Sequence, residues 1–353
     1  MVTIIGGGPI GCYTAALLSR RNDIIVYEEN KEVGTPIQCT GILTDTINEI
    51  IKLKKEFIAN KIWATRIYAP NGKFAKIHFK KPNIIVYRNK FDQYFRDMAI
   101  DNGVKIEYNC RFTKRREILN TETRRKKNIK YDKLVGADGP QSKVSTSYGL
   151  GKRKHLRGVQ ALIKKKNDGV VDFFPHIGTY AWAVPESDTI LRVGVAAETN
   201  TLEIFKNFKK RYKGNILGWQ GGIIPLHNPK TITSTKNVFL VGDAAAQIKN
   251  TTGGGLVPGL TAAKELQRAI DENKDYEHLW RQKIGKSLWT HNVVRKTMNR
   301  FNQNDWNKLI NIFQRKSMKK ILSEESRDKP IQMLTKTIMK NPSTLLFLRK
   351  LMH

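Results

Sequence analysis

The residues that most constrain this chain are Gly6-Gly7-Gly8-Pro9-Ile10-Gly11. They follow a short apolar run, Val2 to Ile5, and lead into a stretch to Arg20 with apolar residues at helical spacing. The pattern therefore lies between a buried strand and a helix. In such a turn each glycine has its own steric reason. Gly6 permits the tight bend, Gly8 lets a pyrophosphate approach the backbone, and Gly11 lets the helix pack closely on the strand. Free N–H groups at the helix start, next to Pro9, then face phosphate oxygens. Ile24 to Tyr27 reads as a second buried strand, and Glu28 at its end puts a carboxylate where ribose hydroxyls would sit. A bare glycine turn leaves that acid unexplained. The opening is a βαβ dinucleotide-binding unit.

Further along, the grammar changes. Ile62, Ala64, Arg66 and Tyr68 alternate, and Asn71-Gly72 supplies a turn before Phe74 to Phe79, which predicts an antiparallel hairpin. A helix is expected over 90–100, a strand over 104–108 and a buried strand over 133–137. The charged stretch 114–130 reads as a solvated hairpin tip. Short strands dominate 157–225, with one basic helix at 202–212. A buried strand then returns at 238–241, followed by a helix over 256–270 and a helical, basic remainder. The fold class is α/β: a Rossmann-type dinucleotide-binding domain interleaved with an antiparallel-sheet substrate domain, plus C-terminal helices. The expected boundaries are 1–60, 85–150 and 230–272 for the cofactor domain, 61–84 and 151–229 for the sheet domain, and 273–353 for the helical region.

Spacing at the first motif does not separate NAD from FAD, but two later segments do. Leu134-Val135-Gly136-Ala137-Asp138-Gly139 and Val238 to Asp243 are each a hydrophobic strand ending in glycine and aspartate. The second, through Gly242-Asp243, runs on to Gly253-Gly254-Gly255 at a helix start. An aspartate there can bind a ribityl hydroxyl, and a glycine-rich helix start can face the flavin or its pyrophosphate. NAD enzymes need no such third element, so FAD is the expected cofactor.

On these residues the chain resembles the geranylgeranyl reductase family of flavoproteins, especially the archaeal digeranylgeranylglycerophospholipid reductases, within the wider p-hydroxybenzoate-hydroxylase-like group. The similarity extends over Gly34 to Gly41 with its Pro36-Ile37-Gln38-Cys39-Thr40-Gly41, Arg88 to Asp92, Ala137 to Gly139, Tyr180 to Pro185, and Gly242 to Gly255. The resemblance implies an FAD-dependent reductase that saturates isolated C=C bonds in isoprenoid chains. It also implies that Arg88 and Gly41 contact FAD, that Cys39 lies near its isoalloxazine ring, and that Tyr180 and Trp182 line the isoprenoid cavity. Cys39, Tyr180 and Trp182 are thus the candidate catalytic residues, and a thiol or a bound water is the candidate proton source. The chain departs from the family at Lys249-Asn250, where relatives commonly carry Asp-Pro, and at Val184, where phenylalanine is usual. The first departure also weighs against the runner-up, a flavin monooxygenase or halogenase on the same scaffold.

Sixty-three basic against 31 acidic residues give a net charge of +32. Such an excess favours an anionic membrane, an acidic protein or nucleic acid. The basic clusters are dispersed and not interleaved with aromatics, which argues against nucleic acid. No second nucleotide fingerprint is visible, so ferredoxin or NAD(P)H is the candidate electron donor. The three cysteines, Cys12, Cys39 and Cys110, lack metal-ligand spacing, and no metal is expected. There is no apolar run of spanning length and no secretory signal, so a cytoplasmic protein is expected, peripheral on the inner face of the membrane. Ile331, Leu334, Thr335, Ile338 and Met339, then Leu345 to Leu348 before Arg349, Lys350 and Leu351, form a basic amphipathic end suited either to packing on the substrate domain or to lying on an anionic surface.

Overall fold

A computed structural model describes residues 1–348 and 350. The chain divides into two compact units, each assembled from three separated segments. The first unit comprises Met1–Ile37, Tyr87–His155 and Pro225–Trp289; the second comprises Gln38–Val86, Leu156–Ile224 and Thr290–His353.

In the first unit five strands form a parallel sheet in the order Val238–Leu240, Lys133–Gly136, Val2–Ile5, Ile24–Tyr27, Lys105–Glu107. Chain direction across the sheet reverses at the central strand Val2–Ile5, so the crevice at its carboxyl end is the topological switch point. All four of its residues are buried, as expected of a parallel strand covered on both faces. Helix Pro9–Leu18 packs against Arg88–Asp101 and Leu256–Asp271 on one face. The other face meets a three-stranded sheet, Cys110–Lys114, Glu117–Asn120 and Lys126–Asn128. Here the expectation of a solvated tip at 114–130 is corrected. Phe112, Ile118 and Ile129 join Ile5, Leu134 and Leu240 in one core, while Lys126 and Lys127 stay exposed. Buried and exposed positions alternate in Cys110–Lys114, whereas Lys126–Asn128 is exposed throughout, and the high charge of the outward positions masks the buried ones in sequence.

The second unit is built on an eight-stranded sheet. Its order is Asn215–Pro225, His155–Lys164, Ile190–Ala197, Tyr180–Ser187, Val171–Phe174, Ile58–Tyr68, Phe74–Val86, Ile42–Leu43. Val171–Phe174 pairs with Ile58–Tyr68 in parallel, beside antiparallel neighbours. The hairpin turns where Asn71-Gly72 predicts, with Gly72 at φ +83° and Ala69 N–H bonded to Lys73 O. Helix Thr201–Lys209 covers one face through Phe205 and Phe208, which pack on Ala161, Ile163, Val193 and Val195.

Two of the expected boundaries differ from this division. Ile42 and Leu43 pair with Ile85 and Ile84, which draws 38–60 into the sheet unit. The region 273–353 is also divided. Tyr276 donates to Leu240 O and Trp280 to Thr233 Oγ1, tying that stretch to the first unit. From Thr290 onward the helices belong to the second unit. Near the end, Met333 and Phe347 pack against Ile312, Met318 and Ile321, and Leu334 and Ile338 are half-buried. Ile331, Met339, Leu345 and Leu346 remain exposed, and Lys350 pairs with Asp305 at 3.1 Å. The apolar stripe of the tail is therefore only partly used in packing. Arg349 and Leu351 lie outside the described residues.

Candidate functional site

The first unit presents a cradle at the switch point, and the three glycines of the opening motif fill three distinct roles. Gly6 sits at φ +102°, and a Cβ there would lie 2.3 Å from Ala137 O. A Cβ on Gly11 would lie 2.0 Å from Gly6 O, so helix and strand touch through it. A Cβ on Gly8 would meet nothing within 4 Å. Gly6 and Gly11 are thus required by the protein's own packing, whereas Gly8 faces open space where a ligand can approach. Gly8 is the N-cap of helix Pro9–Leu18 and no side chain caps that end, which leaves its first N–H groups for an anion.

Glu28 stands beside this turn. Its Oε2 accepts the Gly7 N–H at 2.6 Å, and its Oε1 accepts the Asn30 N–H at 2.9 Å and Asn30 Nδ2 at 2.7 Å. Burial raises its pKa above the ordinary carboxylate value, and the bonds from Asn30 and Gly7 oppose that rise. Oε2, with a single bond, keeps acceptor capacity for a ribose hydroxyl. The donors, the open space at Gly8 and the carboxylate fit a dinucleotide.

The other expected cofactor residues divide by what already holds them. Asp243 has its pKa pushed up to about 6 by burial, with the Arg88 charge pulling the other way. A Cβ on Gly255 would lie 2.8 Å from Asp243 Oδ1, so the glycine gives the carboxylate its room. Gly242 (φ +67°) donates to Gln247 Oε1 and Gly253 (φ +68°) to Lys249 O, which fixes the turns on either side. The Lys249 side chain lies over Gly254. Arg88 makes a two-point bond to Asp92, at 2.9 and 2.8 Å, so its charge is anchored one turn along its own helix. Asp138 accepts from Ser142 Oγ at 2.6 Å and Val144 N–H at 3.0 Å. Both of its oxygens thus serve the start of helix Lys143–Ser147, which accounts for this aspartate structurally. The Lys249-Asn250 departure also has a local reason. Asn250 Oδ1 accepts the His227 N–H at 2.7 Å, and its Nδ2 donates to His227 O at 3.0 Å.

In the second unit, Tyr180, Trp182 and Val184 share one face of a strand by alternation. Phe173, Tyr180 and Trp182 form an aromatic row with centroids 6.1 and 5.9 Å apart. Tyr180 is buried, burial raises its pKa, and its Oη has no hydrogen-bond partner among the described residues. Val184 sits in a core with Ile62 and Ile85, so the exchange from phenylalanine falls on packing there. Gly194 makes room for Trp182, since a Cβ would lie 2.4 Å from the indole ring.

Sequence reasoning missed the polar frame around Cys39. Its thiol accepts the Gly41 N–H at 3.4 Å, and Gly41 (φ +76°) bonds through its O to Val86 N–H. The Cys39 carbonyl accepts from Arg192, 3% exposed, which also bonds Glu186 at 2.5 Å and Gln220 at 3.2 Å. Gln160 joins Thr40, Trp182 Nε1 and Gln220. A lone arginine inside the apolar run Ile190–Ala197 was the available signal. Arg295, over the Tyr180 ring with its pKa lowered to about 10 by burial, carried none.

Fold and cradle together are those of an FAD-dependent oxidoreductase. No protein-family model matches the chain. It is similar to the digeranylgeranylglycerophospholipid reductase of Methanothrix thermoacetophila, at 25% identity over 91% of this chain and 93% of that one. It is similar also to digeranylgeranylglycerophospholipid reductase 3 of Methanosphaera stadtmanae, at 26% identity over 99% and 98%. Among solved structures, a geranylgeranyl bacteriochlorophyll reductase-like protein of Thermoplasma acidophilum superposes with a TM-score of 0.83 at 21% identity, over 99% and 98% of the two chains. The flavin-dependent halogenase CmlS gives 0.67 at 14% identity, over 97% of this chain and 77% of its own. The chain is thus similar, over nearly its whole length, to flavoproteins named as geranylgeranyl-type reductases.

Proposed function

We propose that the protein is an FAD-dependent reductase that saturates isolated C=C bonds of geranylgeranyl chains in membrane lipids or their precursors. The observation that carries this reading is the aromatic row of buried Tyr180 between half-buried Phe173 and Trp182, paired with full-length similarity to reductases named for such a lipid. Bound and reduced FAD supplies the hydride for such a bond. Gly8, the helix start behind it and Glu28 hold the dinucleotide, and Asp243 with Gly253 to Gly255 serve its flavin end. Arg88 acts on the cofactor through its charge at Asp243. An unactivated alkene carries no carbonyl to polarise, so the chain's part is to exclude water, hold the isoprenoid in shape and place a proton. Tyr180 and Trp182 form the wall, and Cys39, framed by Gly41 and Arg192, delivers or relays the proton. Electrons come from ferredoxin or NAD(P)H, and the charge of +32 favours an acidic protein donor. The enzyme works as a peripheral protein on an anionic membrane; among the described residues no helix is long and apolar enough to cross one.

The test is to express the chain in cells that make unsaturated isoprenoid lipids and to weigh those lipids. Mass rising in steps of two hydrogens per bond supports the reading. A gain of oxygen mass instead would turn the assignment to the monooxygenase alternative.

A further inference from the structure

We propose that helix Thr201–Lys209 and the strand Asn215–Pro225 form the surface on which the protein lies against an anionic lipid bilayer. This rests on the reading that the substrate is a membrane lipid, and it assigns the contact to a surface other than the C-terminal tail. The strand is the terminal one of the eight-stranded sheet, so one of its hydrogen-bonding edges is open. Leu217 and Trp219 lie two residues apart and share a face of it. They are 54% and 56% exposed, and Leu202 on the helix is 51% exposed. The Trp219 ring meets Phe205 edge-on at 5.3 Å, which joins strand and helix into one surface. Single exposed apolar residues are ordinary, but a joined group of large ones marks a contact surface.

The charge on that surface identifies the occupant. Lys206, Lys210, Arg211 and Lys213 are exposed within the same segment, against the single acid Glu203. Basic residues around an exposed tryptophan and leucines are what an interface of anionic headgroups over acyl chains accommodates. A second copy of this chain is disfavoured as occupant, because pairing would bring the same lysines face to face on a protein of net charge +32.

The experiment is sedimentation of the flavin-loaded, full-length protein with phosphatidylglycerol or phosphatidylcholine vesicles, at low and high salt. The wild type should bind phosphatidylglycerol vesicles, less so at high salt, and phosphatidylcholine vesicles weakly. Lys206→Gln/Lys210→Gln/Lys213→Gln should lower the partition about a hundredfold, at about fivefold per basic residue. Leu217→Ser/Trp219→Ser should lower it by about tenfold or more. Both variants should keep wild-type turnover on a detergent-dispersed isoprenoid. Should the apolar variant fail to fold, the lysine variant, altered only at exposed side chains, carries the test. Wild-type protein that ignores phosphatidylglycerol vesicles, or variants that bind them as it does, would overturn the proposal. So would a halved solution mass of the apolar variant with vesicle binding unchanged, which would mark the surface as a dimer contact. Vesicle binding that depends on these residues in a protein saturating no isoprenoid would keep the docking surface and remove the substrate reading.

Discussion

Replacing Gly8 by valine should separate cofactor retention from folding. Gly8 has φ −65° and ψ 175°, extended backbone that any residue adopts, and a Cβ there meets nothing within 4 Å. The flavin-free variant should therefore match the wild type in stability to within about 1 kcal/mol, the cost of replacing a glycine N-cap by valine. With a dinucleotide present, the branched side chain stands where the pyrophosphate approaches the helix start. Losing one or two charge-assisted N–H bonds there costs about 3 kcal/mol, or roughly 150-fold in affinity. Gly11→Ala makes the opposite control, because its Cβ would lie 2.0 Å from Gly6 O. The backbone must move, costing about 1–3 kcal/mol or more even without cofactor. Flavin absorbance per mole of purified protein, and urea unfolding of the flavin-free forms, read the two effects independently. Gly8→Val protein that stays fully yellow, or that unfolds as readily as Gly11→Ala, would refute the assignment of Gly8 to the ligand and Gly11 to packing.

Two further outcomes are expected. The Asp243 carboxyl, raised from 3.8 to about 6, binds its proton more tightly folded than unfolded, so its contribution to stability is full below pH 4 and is lost as pH rises through 6. The flavin-free Asp243→Asn variant should then gain on the wild type by up to about 3 kcal/mol between pH 4 and 7 in urea unfolding; a pH-independent difference would contradict this. Arg192→Met strands the Glu186 carboxylate in a mostly buried site and should cost about 3–5 kcal/mol, whereas Arg192→Met/Glu186→Met should recover much of that. Strictly additive losses in denaturant melts would show that the two side chains do not act as a pair.

How much was legible in advance depended on whether a residue's reason was local. Gly6, Gly8 and Gly11 answer to one turn and one helix start, and Glu28 to the end of the next strand, so spacing alone placed them. The Asn71-Gly72 turn was equally local. A strand ending in Gly-Asp reads the same whether its carboxylate meets a ligand or, as that of Asp138 does, bonds the start of helix Lys143–Ser147. The frame around Cys39 was illegible for a different reason. Arg192, Gln160 and Gln220 come from three strands, and nothing in their own neighbourhoods records that they converge. Ile118 and Ile129 were hidden by the charged and polar residues that crowd the stretch around them.

The order of strands in the first sheet has a consequence for how the chain is made. Val2–Ile5 is made before the other strands of its sheet, yet it takes its neighbours from Ile24–Tyr27 and Lys133–Gly136, and the latter strand takes its own second neighbour from Val238–Leu240. The nascent chain therefore holds an apolar β-strand with an unfilled side through much of its synthesis, and the sheet closes only after Val238–Leu240 has emerged. Pairings this distant in sequence close slowly, and open strand edges attract one another while they wait. Messages truncated before that strand should yield aggregating fragments dependent on chaperones, and neither half of the gene should produce a soluble cofactor-binding piece.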